Sequence, residues 1–120
     1  MNEAVIVSTA RTPIGKAYRG GLNNTDGALL GAHAISHALQ RAGVEGGEIE
    51  DIVMGCAMQE GTTGLNVARR AGLVAGLPIT AAGTTIDRQC SSGLNAMAVL
   101  ANAIRNDGVP VGIAGGLESI

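Results

Sequence analysis

Short β-branched runs alternate along this chain with stretches whose apolar residues recur at helical spacing, and that alternation restricts the fold more than any other feature. Ala4-Val5-Ile6-Val7-Ser8 is the first run, suited to a buried strand. Ile49 to Gly55, Gly83 to Arg88 and Val109 to Gly115 read as three more. Ala28, Ala32, Ile35, Leu39 and Ala42 form one apolar stripe, which predicts a helix capped by Asn24 or Thr25 and ended by Gly43. Asn66 opens a shorter helix with Val67, Ala71 and Val74 turned inward and Gly76-Leu77-Pro78 as its exit. Leu94, Met97, Ala98, Ala101 and Ile104 mark a third helix from about Cys90 to Arg105, stopped by Asn106-Asp107-Gly108. Strands separated by helices need crossover connections, so the chain is α/β with parallel pairing and right-handed crossovers.

The core of such a sheet must be built from small parts. The 120 residues include no Trp and no Phe, Tyr18 is the only aromatic, and 19 are glycine. Val, Ile, Leu and Ala bury little area each, which predicts that part of the stability comes from surfaces beyond these residues. A net charge of −2 gives no basic footprint for nucleic acid, and the missing aromatics remove the platforms on which single strands stack. No apolar run approaches the ~20 residues that cross a bilayer, so no membrane partner is predicted. Met1 to Val5 has neither a basic region nor a signal-type core, and two cysteines make a poor disulfide framework. The expectation is a soluble protein of the cytoplasm.

Three local patterns invite chemistry and fail its tests. Arg11, Lys16 and Arg19 lie in a glycine-bearing loop after the first run, but neither GxxxxGK nor GxGxxG is present. His33 and His37 have the i,i+4 spacing of a metal pair, yet Ala34 occupies the glutamate position of HExxH and no further ligand is apparent. A solvated helix face explains them, and no metal is expected. Cys56 follows a strand with no helix start beneath it and reads as structural.

Cys90 is different. It stands where the run Thr84-Thr85-Ile86-Asp87-Arg88 meets the first turn of the third helix. Ser91 and Ser92 are placed to satisfy the first unpaired amides of that helix, and Gly93 and Ala96 keep the turn thin enough for close approach. A helix start favours a thiolate, but by only ~0.3–1 kcal/mol in the ordinary case. At ~1.36 kcal/mol per pKa unit that falls short of activation, so a nucleophile here needs a second contribution such as a histidine base. Position alone leaves open a nucleophile or a core cysteine.

Asp87-Arg88-Gln89-Cys90-Ser91-Ser92-Gly93-Leu94-Asn95-Ala96 closely resembles the acyl-accepting cysteine motif of the thiolases. Three further segments agree with it in order: Ser8-Thr9-Ala10-Arg11-Thr12-Pro13-Ile14-Gly15, Asn66-Val67-Ala68-Arg69 with Ala75-Gly76-Leu77-Pro78, and Ala114-Gly115-Gly116-Leu117-Glu118-Ser119. The resemblance covers essentially the whole chain. It implies a thiolase-like layered fold in which residues 1–120 form most of the first βαβαβαβ half, the N-terminal part of the family's N-terminal domain. A loop domain and a second half are expected after Ile120. It implies Cys90 as the nucleophile carrying an acyl thioester, with its backbone N–H as an oxyanion donor, and coenzyme A as a substrate rather than a permanent cofactor. Thiolases assemble through the strand before the cysteine, so a homodimer or homotetramer is expected.

The resemblance also assigns the base histidine, the second cysteine and most coenzyme A contacts to segments beyond these residues, and Cys56 does not match the second cysteine's motif. Ser91-Ser92-Gly93 looks more like the degradative 3-ketoacyl-CoA branch. Asp87 departs from the family, which usually has asparagine there, and strand alternation is expected to point it away from the thiol. The alternatives are a ketoacyl-carrier-protein-synthase-like condensing enzyme and a non-catalytic dimerisation module with Cys90 in its core. A cysteine-protease reading is weaker, since Gln89-Cys90-Ser91 fits neither the caspase nor the papain signature.

Overall fold

The computed structural model describes residues 2–120; Met1 lies outside them. Three helices alternate with three strands: α1 (Gly27–Ala42), β1 (Asp51–Gly55), α2 (Val67–Val74), β2 (Ala82–Ile86), α3 (Ser92–Asn102) and β3 (Gly112–Gly116). The sheet order is β2-β1-β3 and both pairings are parallel, with Asp51 opposite Ala82 and Gly112, and Gly55 opposite Ile86 and Gly116. Central β1 is buried from Ile52 to Gly55, as a strand covered on both faces must be. Its side chains alternate between two apolar clusters. Ile52 and Met54 meet Ile35 of α1 and Ala68 and Ala71 of α2, whereas Val53 meets Ala96 and Leu100 of α3. The result is a three-layer sandwich, α1 and α2 on one face and α3 on the other.

Local signals behave as their chemistry requires, with several changes of detail. The Asp26 side chain, not Asn24 or Thr25, caps α1 by accepting the Ala28 N–H at 2.8 Å, and left-handed Gly43 ends the helix. Asn66 caps α2 as predicted, itself left-handed, and also donates to the Gly83 carbonyl and accepts from Thr85 Oγ1, tying α2 to β2. Val74 is exposed, because α2 and its C-cap turn Ala68, Ala71 and Ala75 to the core instead. Arg69 donates to the carbonyls of Ile79 and Ala81, and Arg70 to those of Thr62 and Gly64, so both hold loops. After α3 the chain widens into a π-helical turn, Ala103–Asp107, before left-handed Gly108 stops it.

The largest departure is at the start. Ala4 to Ser8 is not a strand of this sheet, and Val5, Ile6 and Val7 are each about 70 % exposed. A β-branched run becomes a strand only where another strand presents a free edge alongside it. Here the run stands off β3 instead, enclosing with α1, α3 and β3 an apolar cavity of about 1010 Å³. Its tether among the described residues is the Arg41 guanidinium, which donates to the Thr9 carbonyl at 2.7 Å.

Candidate active site

Cys90 sits between β2 and α3 and is exposed, not packed into either apolar cluster of this sheet. The thin first turn of α3 rests directly on the ends of β1 and β3. A methyl group at Gly55 would fall on the backbone of Ser92 and Gly93, and one at Gly116 would lie 3.1 Å from the Gly93 Cα. Glycine at 55 and 116 is therefore what lets the strand ends meet the backbone under the cysteine, whereas a methyl at Gly93 would make an ordinary contact, 3.6 Å from the Gly116 Cα. Sequence reasoning found Gly93 and Ala96; it missed Gly55 and Gly116, whose only signal was glycine at the end of a strand.

The turn itself is built differently from the expectation. Helix α3 begins at Ser92, two residues later than predicted, and Ser91 makes no side-chain capping bond. Nor does Ser92 reach forward into the helix. Its buried hydroxyl turns back, accepting the Arg88 N–H at 2.8 Å and donating to the Gln89 carbonyl at 2.6 Å. Asp87 Oδ1 accepts the Gln89 N–H at 2.7 Å, an Asx turn that occupies one carboxylate oxygen with backbone. Gln89, immediately before the cysteine, has φ +51°, a left-handed conformation uncommon for a residue with a side chain. The Asp-x-Gln spacing is the one sequence signal that could have announced this turn.

Cys56 provides the contrast. It is fully buried, and burial followed by the nearby Glu118 charge pushes its thiol up from 9.0 to about 11. Its Sγ lies 3.5 Å from both Glu118 Oε1 and the Met58 carbonyl, while the Glu118 carboxylate accepts the N–H groups of Ala57 and Met58 at 3.1 and 2.7 Å. This cysteine is a structural element of the loop after β1, as its sequence context suggested.

The two histidines lie on α1, across the sheet from α3, and touch one another in a tilted pair with ring centroids 4.3 Å apart. Neither is brought to Cys90. No group of three or more metal-ligating side chains occurs among the described residues, and no helix there is long and apolar enough to cross a membrane. Cys90 does not line the 1010 Å³ cavity, which lies on the side of β3 and the N-terminal run. The chain thus presents an accessible thiol on a rigid, glycine-thinned turn, without a proton acceptor from either histidine.

Comparison with known proteins follows this geometry closely. Residues 4–120 match the family model described as thiolase, N-terminal domain. The whole chain is 48 % identical over 120 residues to a 3-ketoacyl-CoA thiolase of Bacillus subtilis and covers 31 % of it. It is 40 % identical over 120 residues to a mitochondrial acetyl-CoA acetyltransferase of Xenopus tropicalis, covering all of this chain and 28 % of that protein. Among solved structures, the acetyl-CoA acetyltransferase of Bacillus anthracis superposes with a TM-score of 0.90 at 38 % identity, over 97 % of this chain and 29 % of that one. A thiolase of Ascaris suum in complex with coenzyme A superposes at 0.81 and 29 % identity, over 87 % of this chain and 27 % of that one. The chain therefore spans less than a third of the length of these relatives.

Proposed function

The chain belongs to the thiolase family, and on that premise we propose that it is the nucleophile-bearing N-terminal part of an enzyme that exchanges acyl groups between coenzyme A thioesters through a thioester on Cys90. The observation that carries this reading is the pairing of one exposed thiol, on the turn that matches the family's motif, with one buried thiol held in its neutral form. In the degradative direction the Cys90 sulfur attacks the C3 carbonyl of a 3-ketoacyl-CoA. The C2–C3 bond breaks, acetyl-CoA leaves after protonation at C2, and the acyl group passes from Cys90 to the sulfur of a second coenzyme A. In the synthetic direction the same steps run backward. Splitting the exchange into two half-reactions is the use of covalent catalysis, and ping-pong kinetics is its sign. The Cys90 backbone N–H, just ahead of the first turn of α3, is the one this reading assigns to the negative charge that develops on the attacked oxygen.

The proton acceptor belongs to the remaining two-thirds of a thiolase, since His33 and His37 sit across the sheet. Residues 1–120 alone are accordingly inactive in this reading. The intact enzyme is at least a homodimer, paired through the outer edge of β2, and the two uncrosslinked cysteines of residues 1–120 suit the cytoplasm. The test is mass spectrometry of the intact enzyme quenched with acetyl-CoA. We expect an acetyl adduct on Cys90 that disappears on adding free coenzyme A; an adduct on any other side chain, or full turnover by Cys90→Ala, overturns the reading.

A further inference from the structure

Three side-chain hydrogen bonds converge on the backbone just before Cys90, and Gln89 takes part in two of them. Asp87 fixes its N–H and Ser92 its carbonyl, while the same Ser92 hydroxyl fixes the N–H of Arg88. Between these anchors Gln89 is held at φ +51°. For a residue with a Cβ the left-handed region costs roughly 1–2 kcal/mol, so it persists only where its surroundings over-determine it. The surroundings here are two side chains. Ser92 is 3 % exposed and lies against Gly55, so water is poorly placed to replace its hydroxyl. Backbone bonds from Ser91 N–H to the Arg88 carbonyl and from Ser92 N–H to the Gln89 carbonyl, both 3.1 Å, close the turn but leave the Gln89 N–H to Asp87 alone.

We propose that Asp87 and Ser92 are positioning residues that hold Gln89 left-handed and thereby fix the direction in which Cys90 presents its sulfur to the acyl carbonyl. The inference rests on Cys90 being the acyl carrier. Rotation about the Gln89 backbone moves the cysteine that follows it, while α3 stays anchored on β1 and β3. Attack on a carbonyl needs its atoms near 3–3.5 Å and aligned, and a misplacement of ~1 Å can cost about 100-fold. Simple exposure of the thiol has no such requirement. Asp87, the residue at which this chain departs from the asparagine usual in thiolases, keeps the oxygen that accepts this bond.

The test uses the intact enzyme carrying Ser92→Ala, Asp87→Ala or Asp87→Asn, assayed well below each variant's melting temperature. We expect kcat to fall about 10- to 100-fold in the two alanine variants, with the KM for the acyl thioester and the iodoacetamide rate at Cys90 each within about threefold of the parent. Asp87→Asn, whose amide oxygen accepts the same bond, restores kcat to within about threefold. If kcat of both folded alanine variants stays within about twofold of the parent, or Asp87→Asn is as slow as Asp87→Ala, the proposal fails. If Ser92→Ala does not fold, the exposed Asp87 pair decides alone. Cys90→Ala separates the two levels: an active Cys90→Ala enzyme sinks the acyl-carrier reading, whereas an inactive one beside fully active Asp87→Ala and Ser92→Ala sinks only the positioning role.

Discussion

Cys56 and Cys90 carry the same side chain, but Cys56 is fully buried and Cys90 is exposed. Burial and the Glu118 carboxylate keep the Cys56 proton on, up to about pH 11. In the unfolded chain that thiol ionises near its ordinary value of 9.0. The folded state therefore holds the proton over a window in which the unfolded state releases it. Stability linked to this group is complete below about pH 8 and is lost as pH rises from the unfolded value through the folded one. The full effect is of order 2–3 kcal/mol. Denaturation midpoints at pH 8 and pH 10.5, compared between the parent and Cys56→Ala, isolate it from every other group that ionises at alkaline pH. We expect the parent to lose more stability over that interval than the variant, and equal losses would count against the assignment.

At the scale of elements, the face contacts of β1 set where the helices lie. The backbone of α3 touches β1 at Gly55, and Gly55→Ala drives a methyl group into Ser92 and Gly93. Overpacking of a filled core costs typically 1–3 kcal/mol, and rigid backbone on both sides puts this case at or above the upper end. Gly21→Ala is the control, since nothing lies within 4 Å of its added methyl, and should stay within about 0.5 kcal/mol of the parent. Chemical denaturation measures both, and a Gly55→Ala variant as stable as Gly21→Ala would refute the contact. The parallel sheet, the three helices and Cys90 at a strand-to-helix joint were all legible in the sequence, because each rests on short-range periodicity or capping chemistry. Three things were not. Ala4 to Ser8 carries the β-branched signature of a strand, but pairing depends on a distant edge that local composition does not encode. Gly55 and Gly116 matter through contacts with Gly93, far away in the chain. The backward-facing Ser92 hydroxyl depends on the left-handed Gln89, and a residue with a side chain gives little notice of adopting it.

For the molecule as a whole, the core holds no aromatic ring, and Tyr18 is exposed. Buried side chains are small, and several large apolar ones stay in solvent, among them Leu65, Ile79 and Leu94. The N-terminal run adds Val5, Ile6 and Val7 beside the open 1010 Å³ cavity, and the Ser8 hydroxyl there is buried without a hydrogen-bond partner. Contiguous exposed apolar surface of this kind binds hydrophobic dyes and promotes association. Produced alone, residues 1–120 should enhance anilinonaphthalene sulfonate fluorescence well above the intact enzyme and sediment as more than a monomer at micromolar concentration. A dye-silent monomer would contradict this.

That open seam has a bearing on biosynthesis. In the longer enzyme proposed above, residues 1–120 leave the ribosome before the polypeptide that follows them exists. With the N-terminal run standing away from the sheet, a nascent chain at this stage offers a sticky cleft rather than a finished surface. Its safe passage then depends on how quickly the later polypeptide arrives, or on a chaperone that shields apolar stretches until it does.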